Sequence, residues 1–238
     1  MPAAALDVRA LSAGYGRTHV LEEVSFRVPA GGRLAILGRN GMGKTTLLAS
    51  LMGLTRRYAG SIGLDGRDIT ALGTAERALA GLGLVPQARE VFRGLSVEEN
   101  LFTGLKGRPR PAIAEAYGLF PRLYERRRHL GAQLSGGEQQ MLATARTILG
   151  QPSVLLLDEP LEGLAPIICD MLMEAFARLA ASGATTILLV EQRLESALAF
   201  AEAVVILERG RIVWSGSPGA LRADAELIER HLGVGGLR

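Results

Sequence analysis

An α/β sandwich is the predicted fold, and three observations predict it: four short unbroken apolar runs, helical stretches between them, and a central segment where strand character disappears. Leu34-Ala35-Ile36-Leu37, Val154-Leu155-Leu156-Leu157, Ile187-Leu188-Leu189-Val190 and Val204-Val205-Ile206-Leu207 show no alternation, which is the pattern of strands buried on both faces of a mainly parallel sheet. A helix over 43–52 follows the first run, one over 166–181 follows the second with Pro166 in its first turn, and one over 194–201 follows the third. Near the N-terminus, residues 6–11, 24–28 and 61–64 alternate between Gly-rich turns, which predicts a small antiparallel β subdomain. Between about Arg89 and Gly150 helix signals take over. Ser96-Val97-Glu98-Glu99 is a capping box opening a helix through Leu105, Gly107-Arg108-Pro109-Arg110-Pro111 breaks it, and 112–120 starts another. The expected organisation is one domain over 1–238, with a core at roughly 1–88 and 151–238 and an inserted helical subdomain at roughly 89–150.

With 238 residues, 48% of them hydrophobic, the chain can bury one large core, or one core and a smaller lobe. A formal charge of +3 and arginines scattered apart from Arg126-Arg127-Arg128 supply no basic stripe, so no nucleic-acid partner is expected. Cys169, the single cysteine, excludes an internal disulfide and is expected to fill the core, and His19, His129 and His231 lack metal-ligand spacing. No apolar run approaches the roughly 18 residues of a membrane helix. A cytoplasmic chain reaching a membrane only through a partner is expected.

Gly38-Arg39-Asn40-Gly41-Met42-Gly43-Lys44-Thr45 fits G-x-x-x-x-G-K-[ST], follows the first apolar run and opens a helix. Lys44 is one of two lysines among 27 basic residues, kept where a compact ammonium fits a tight phosphate loop better than a planar guanidinium. The glycines let backbone N–H groups converge on phosphate oxygens at the positive end of the helix. Lys44 is expected to bridge the β- and γ-phosphates and Thr45 to ligate Mg²⁺, with Thr46 completing the stretch. Asp158 and Glu159 close a buried strand, where Asp158 would enter the Mg²⁺ shell and Glu159 would face the water attacking the γ-phosphate. In Leu134-Ser135-Gly136-Gly137-Glu138, Ser135 can cap the next helix while two glycines expose backbone donors, forming a second anion site.

Together these residues resemble the ATP-binding-cassette (ABC) ATPases over nearly the whole chain, which implies a P-loop NTPase sandwich that binds and hydrolyses ATP with Mg²⁺. The resemblance implies a head-to-tail dimer with a second ABC ATPase subunit, in which Ser135, Gly136, Gly137 and Glu138 close over ATP held by the partner. It carries Tyr15 onto the family's adenine-stacking aromatic, a position that a loop anchor would also explain. It carries Gln87, in Val85-Pro86-Gln87, onto the glutamine that senses Mg²⁺ and γ-phosphate. Two positions depart from the common pattern: Gln192 stands where a switch histidine is usual, and Ala165 where an aspartate contacts the opposing subunit. Gln192 can donate to a γ-phosphate oxygen but cannot shuttle a proton.

Glu191-Gln192, Gly163-Leu164-Ala165-Pro166 and the phosphate loop look like the ATPase subunits of branched-chain amino-acid importers. Val85-Pro86-Gln87 and Glu162-Gly163 resemble the urea and short-amide branch at least as well. Either implies transmembrane permease partners at the inner membrane and, indirectly, an extracytoplasmic substrate-binding protein. Val91, Phe92 and Leu95 are candidates for a permease-docking groove or for the lobe's own core. A soluble cassette acting on nucleic acid or ribosomes is the competing class, disfavoured by the lack of a second cassette or coiled-coil insertion. A binding module with little turnover is the third, opposed by Glu159.

Overall fold

The computed structural model describes residues 2–233, so the outer limits of the expected domain, Met1 and 234–238, lie outside it. The N-terminal alternation is realised as β1 (Leu6–Tyr15) and β2 (Thr18–Val28), an antiparallel pair. Both strands outrun the expected 6–11 and 24–28 because bulges carry the pairing onward, with Ala10 (φ 46°) and Glu23 (φ 53°) at the register shifts. β3 (Arg33–Leu37) crosses to a second sheet and feeds α1 (Lys44–Leu51). β4 (Arg56–Leu64) and β5 (Arg67–Asp68) then complete the first sheet in the order β2-β1-β4-β5.

α2 (Thr74–Ala80) leads to β6 (Leu82–Val85). A helical stretch follows: α3 (Val97–Thr103), a 3-10 turn at Arg110–Ile113, α4 (Ala114–Leu119), α5 (Pro121–Glu125), a second 3-10 turn at Gly131–Gln133, and α6 (Gly136–Leu149). The chain re-enters the sheet with β7 (Val154–Asp158), α7 (Pro166–Ala181), β8 (Thr186–Val190), α8 (Leu194–Phe200), β9 (Ala203–Glu208) and β10 (Arg211–Gly216). It then runs through α9 (Pro218–Arg222) and α10 (Ala225–Leu232). The second sheet has the order β10-β9-β3-β8-β7-β6, parallel throughout except for β10.

The unbroken apolar runs have a direct cause in this layering. Along β7, Val154 and Leu156 pack with the antiparallel sheet and α1, whereas Leu155 and Leu157 pack with α6 and α7. β8 divides in the same way, Leu188 and Val190 to one side and Ile187 and Leu189 to the other. A third cluster, around Leu194, Leu198, Leu221 and Ile228, covers Ala35 and Leu37 of β3 and Val204 and Ile206 of β9. Every side chain of the four apolar runs is therefore buried, and period-two alternation has no polar side to mark.

β6 and β10 escape sequence reading for opposite reasons. β6 is short and holds Gly83, where a Cβ would lie 3.0 Å from both Pro152 and Thr147, so close packing rather than propensity selects its sequence. β10 is an edge strand with alternate residues exposed. α2, also without a sequence signal, carries Arg77, which is buried and donates to the carbonyls of Ser50 and Leu51, each at 2.8 Å, holding the end of α1. The helix expected through Leu105 ends at Thr103, and the one expected over 112–120 opens as a 3-10 turn before α4. Cys169 is buried in the cluster around α7, as a core filler would be.

Candidate functional site

The phosphate loop runs from β3 into α1. Gly38 must be glycine, since a Cβ there would lie 2.3 Å from the Leu207 carbonyl oxygen. Gly43 caps α1 with φ 103° and offers no side-chain acceptor, so the first amides of the helix keep their donor capacity for an anion. Met42 ties the loop to the β9–β10 turn, its carbonyl accepting from Gly210 N–H at 3.0 Å. Val20, Asn40, Gly41, Gly43, Lys44, Thr45, Thr46, Gln87 and Glu159 line one cleft of about 330 Å³.

Lys44 is 4% exposed. Its ammonium donates to the carbonyls of Gly38 at 2.8 Å and Arg39 at 3.1 Å and forms an ion pair with Glu159 Oε1 at 3.2 Å. Glu159 is almost as buried and takes φ 45°, a left-handed conformation fixed by its N–H donating to Val190 O at 2.9 Å. Its other oxygen accepts from Gln192 Nε2 at 2.5 Å and Gln87 Nε2 at 3.3 Å. Lys44 at the start of α1 and Gln87 and Gln192 on two separate loops therefore meet on one carboxylate. An anion that displaced Glu159 from Lys44 would leave that carboxylate without its cation.

Thr45 Oγ1 donates to Asp158 Oδ1 at 3.3 Å. Burial pushes the Asp158 carboxyl up to about 6, opposed by the Thr45 hydrogen bond and the Lys44 charge and reinforced by Glu159 and Glu162. Because the folded pKa lies above the unfolded value of 3.8, the stability this group contributes is present below pH 3.8 and lost as pH rises through 6. Asp158→Asn, which removes the buried charge, should raise stability in nucleotide-free, chelator-treated buffer at pH 8. The gain is on the order of 3 kcal/mol and shrinks to nothing near pH 4. Melting temperature against pH is the measurement, and a variant whose advantage over the parent is no larger at pH 8 than at pH 4 contradicts it.

Glu191 anchors the loop that carries Gln192. Its carboxylate accepts from the N–H groups of Leu161, Gln192 and Arg193 at 3.2, 2.9 and 3.1 Å, while burial pushes its pKa up. Sequence reading gave no role to this residue, to Glu162 or to Val20. Glu162 joins the network through Gln87 Nε2, which reaches its Oε2 at 2.5 Å. Tyr15 ends β1 outside the cleft lining, 51% exposed, on a hairpin tip held by Tyr58. The Tyr58 hydroxyl donates to the carbonyls of Gly16 and Thr18 at 3.2 and 3.1 Å.

Ser135 caps α6 as its sequence signature predicts. Its hydroxyl accepts from Glu138 N–H at 3.3 Å, and Glu138 Oε2 accepts from Ser135 N–H at 2.9 Å. Burial disfavours the charged form of Glu138, but the Ser135 amide and the Arg122 guanidinium outweigh it and hold the carboxyl below its ordinary value. Arg122 Nε and Arg126 Nε lie 3.0 and 3.3 Å from Glu138 Oε1. Ser135, Gly136 and Gly137 are absent from the lining of the phosphate cleft in their own chain. Ala165 precedes α7 without a side-chain cap.

A phosphate loop, a strand-end acid pair and a capped glycine-rich helix start on one α/β core define a nucleotide-hydrolysing domain. The ABC transporter family model matches residues 21–162. The chain is 38% identical to the high-affinity branched-chain amino acid transport ATP-binding protein BraG of Pseudomonas aeruginosa, over 94% of this chain and 97% of that protein. It is 36% identical to the probable branched-chain amino acid transport ATP-binding protein LivF of Archaeoglobus fulgidus, over 94% and 97%. A solved ATP-binding subunit of an ABC transporter superposes with a TM-score of 0.82 at 28% identity, covering 96% of each chain. The chain belongs to the ABC transporter family. Its activity is the ATP hydrolysis of a transporter subunit.

Proposed function

We propose that this chain energises the uptake of branched-chain amino acids as the ATPase subunit of an importer. The observation that carries the reading is the meeting of Lys44, Gln87 and Gln192 on Glu159 inside the phosphate cleft, in a chain similar end to end to BraG and LivF. The core, residues 1–88 and 151–238, holds ATP, with Tyr15 against the adenine. The helical segment, 89–150, meets the permease.

Among the described residues no group of three or more His, Cys, Asp and Glu side chains could hold a metal by itself. Thr45 and Asp158, already in contact, and the Gln87 amide oxygen form an incomplete set of hard oxygen donors, which suits Mg²⁺ shared with substrate phosphates. Mg²⁺ would neutralise charge developing on the phosphates. Glu159, released from Lys44, accepts a proton from the attacking water, and Gln192, already on that carboxylate, donates to a γ-phosphate oxygen. Because Ser135 to Gly137 do not line the cleft of their own chain, they complete the site of a second ATPase subunit in a head-to-tail dimer. Among the described residues no helix is long and apolar enough to cross a membrane. The likeness to BraG and LivF supports a place on the cytoplasmic face of the inner membrane against separate permease subunits. An extracytoplasmic binding protein then selects the cargo.

A urea or short-amide importer is the second reading, resting on the resemblance carried by Val85-Pro86-Gln87 and Glu162-Gly163, whose Gln87 and Glu162 are in contact at 2.5 Å. Uptake of radiolabelled leucine and of urea by a deletion strain separates the two. Loss of leucine uptake alone supports the first reading, and loss of urea uptake alone replaces it with the second.

A further inference from the structure

Arg89 lies two residues beyond Gln87 and has no place in the chemistry above. Its Nη2 donates to the backbone carbonyl of Glu162 at 3.1 Å and lies 3.6 Å from where a Cβ on Gly163 would sit. The carboxylate of that same Glu162 accepts from Gln87. One loop therefore grips Glu162 at both its carbonyl and its carboxylate, making a single body of the 87–89 and 159–163 segments. The other side of the guanidinium lies against the start of α6, with Nη1 2.5 Å from the position of a Cβ on Gly136. Gly136 is the first residue of α6 and does not have a left-handed φ, so its backbone would accept any residue. What needs the missing side chain is Arg89. Among the described residues no ion pair involves Arg89, which leaves its place to be set by these three contacts.

From this geometry we infer that Arg89 is a positioning residue linking each subunit's own ATP site to the Ser135–Gly137 segment that it presents to its partner. The inference rests on the head-to-tail dimer reading. The route is short: Gln87 holds Glu159 and Glu162, Glu162 holds Arg89, and Arg89 fills the space beside Gly136. When Gln87 exchanges its carboxylate partners for phosphate and metal, the loop carrying Arg89 shifts, and the glycine-rich start of α6 shifts with it. Coupling between sites is a free energy, so removing the link should appear in cooperativity and dimer closure while leaving ATP binding by the separate subunit intact.

The test uses the full chain with Mg-ATP, in the Glu159→Gln background for dimerisation and with native Glu159 for turnover. Arg89→Ala should leave the melting temperature unchanged and the monomer affinity within about twofold of the parent. It should raise the protein concentration needed for the ATP-dependent dimer about tenfold and bring the Hill coefficient for turnover toward one. Gly136→Ala, by displacing the guanidinium, should reproduce that effect alone and add less than about twofold when Arg89 is already alanine. Unchanged dimerisation of Arg89→Ala, or an equal cost of Gly136→Ala in both backgrounds, overturns the inference. If Glu159→Gln alone forms no dimer with ATP, the head-to-tail reading fails and takes this inference with it. If that variant dimerises and Arg89→Ala dimerises equally well, only the role of Arg89 fails.

Discussion

Glu159→Gln should lower kcat by about 10²–10⁴-fold, the range for loss of a general base, and leave Mg-ATP binding intact. The amide keeps the size of the side chain and can still pair with Gln87 and Gln192, so the left-handed backbone at 159 and its bond to Val190 are undisturbed. What it loses is the ability to take a proton. ATP then stays bound, and two subunits closed around it should elute together on size exclusion. A variant that remains monomeric with ATP while hydrolysing it at the parental rate would remove Glu159 as the base.

Lys44→Ala should weaken Mg-ATP binding by about 1.5–3 kcal/mol, the range for a charge-assisted hydrogen bond, and isothermal titration would measure it. Affinity equal to the parent's rejects Lys44 as a phosphate ligand. A second consequence separates this site from a simple surface lysine. Lys44 and Glu159 are both buried and paired, so removing the ammonium leaves a buried carboxylate without its cation, and stability should fall along with binding. Adding Glu159→Gln removes the orphaned charge and should restore much of the lost stability without restoring ATP affinity. Recovery of both together would mean that the lysine acts only through its ion pair.

How much of this was legible in the sequence depended on distance along the chain. The loop from Gly38 to Thr45 could be read because a phosphate cradle is local: strand, glycines, lysine and helix start fall within a dozen residues. The strands ending at Leu37, Asp158, Val190 and Glu208 could be read because burial on both faces leaves an unmistakable apolar run. Gln87 and Gln192 could be placed only by resemblance, since their convergence on Glu159 joins positions 72 and 33 residues apart. The Lys44–Glu159 pair was legible to neither route, because both residues already had a role with ATP and nothing in the chain says that they hold each other beforehand. Arg89 was hidden for a further reason: its importance lies in a contact with a glycine, and an absent side chain leaves no pattern.

The double-sided burial of the parallel strands has a mechanical meaning. β3, β6, β7 and β8 hand the phosphate loop, Gln87, the Asp158–Glu159 pair and Gln192 to the same end of one sheet, and cores on both sides clamp it. A slab packed in this way has little give, because sliding one strand would open voids on two faces at once. The sheet therefore acts as an anvil: it holds the reacting groups still, and displacement driven by ATP must travel outward through the loops at its rim.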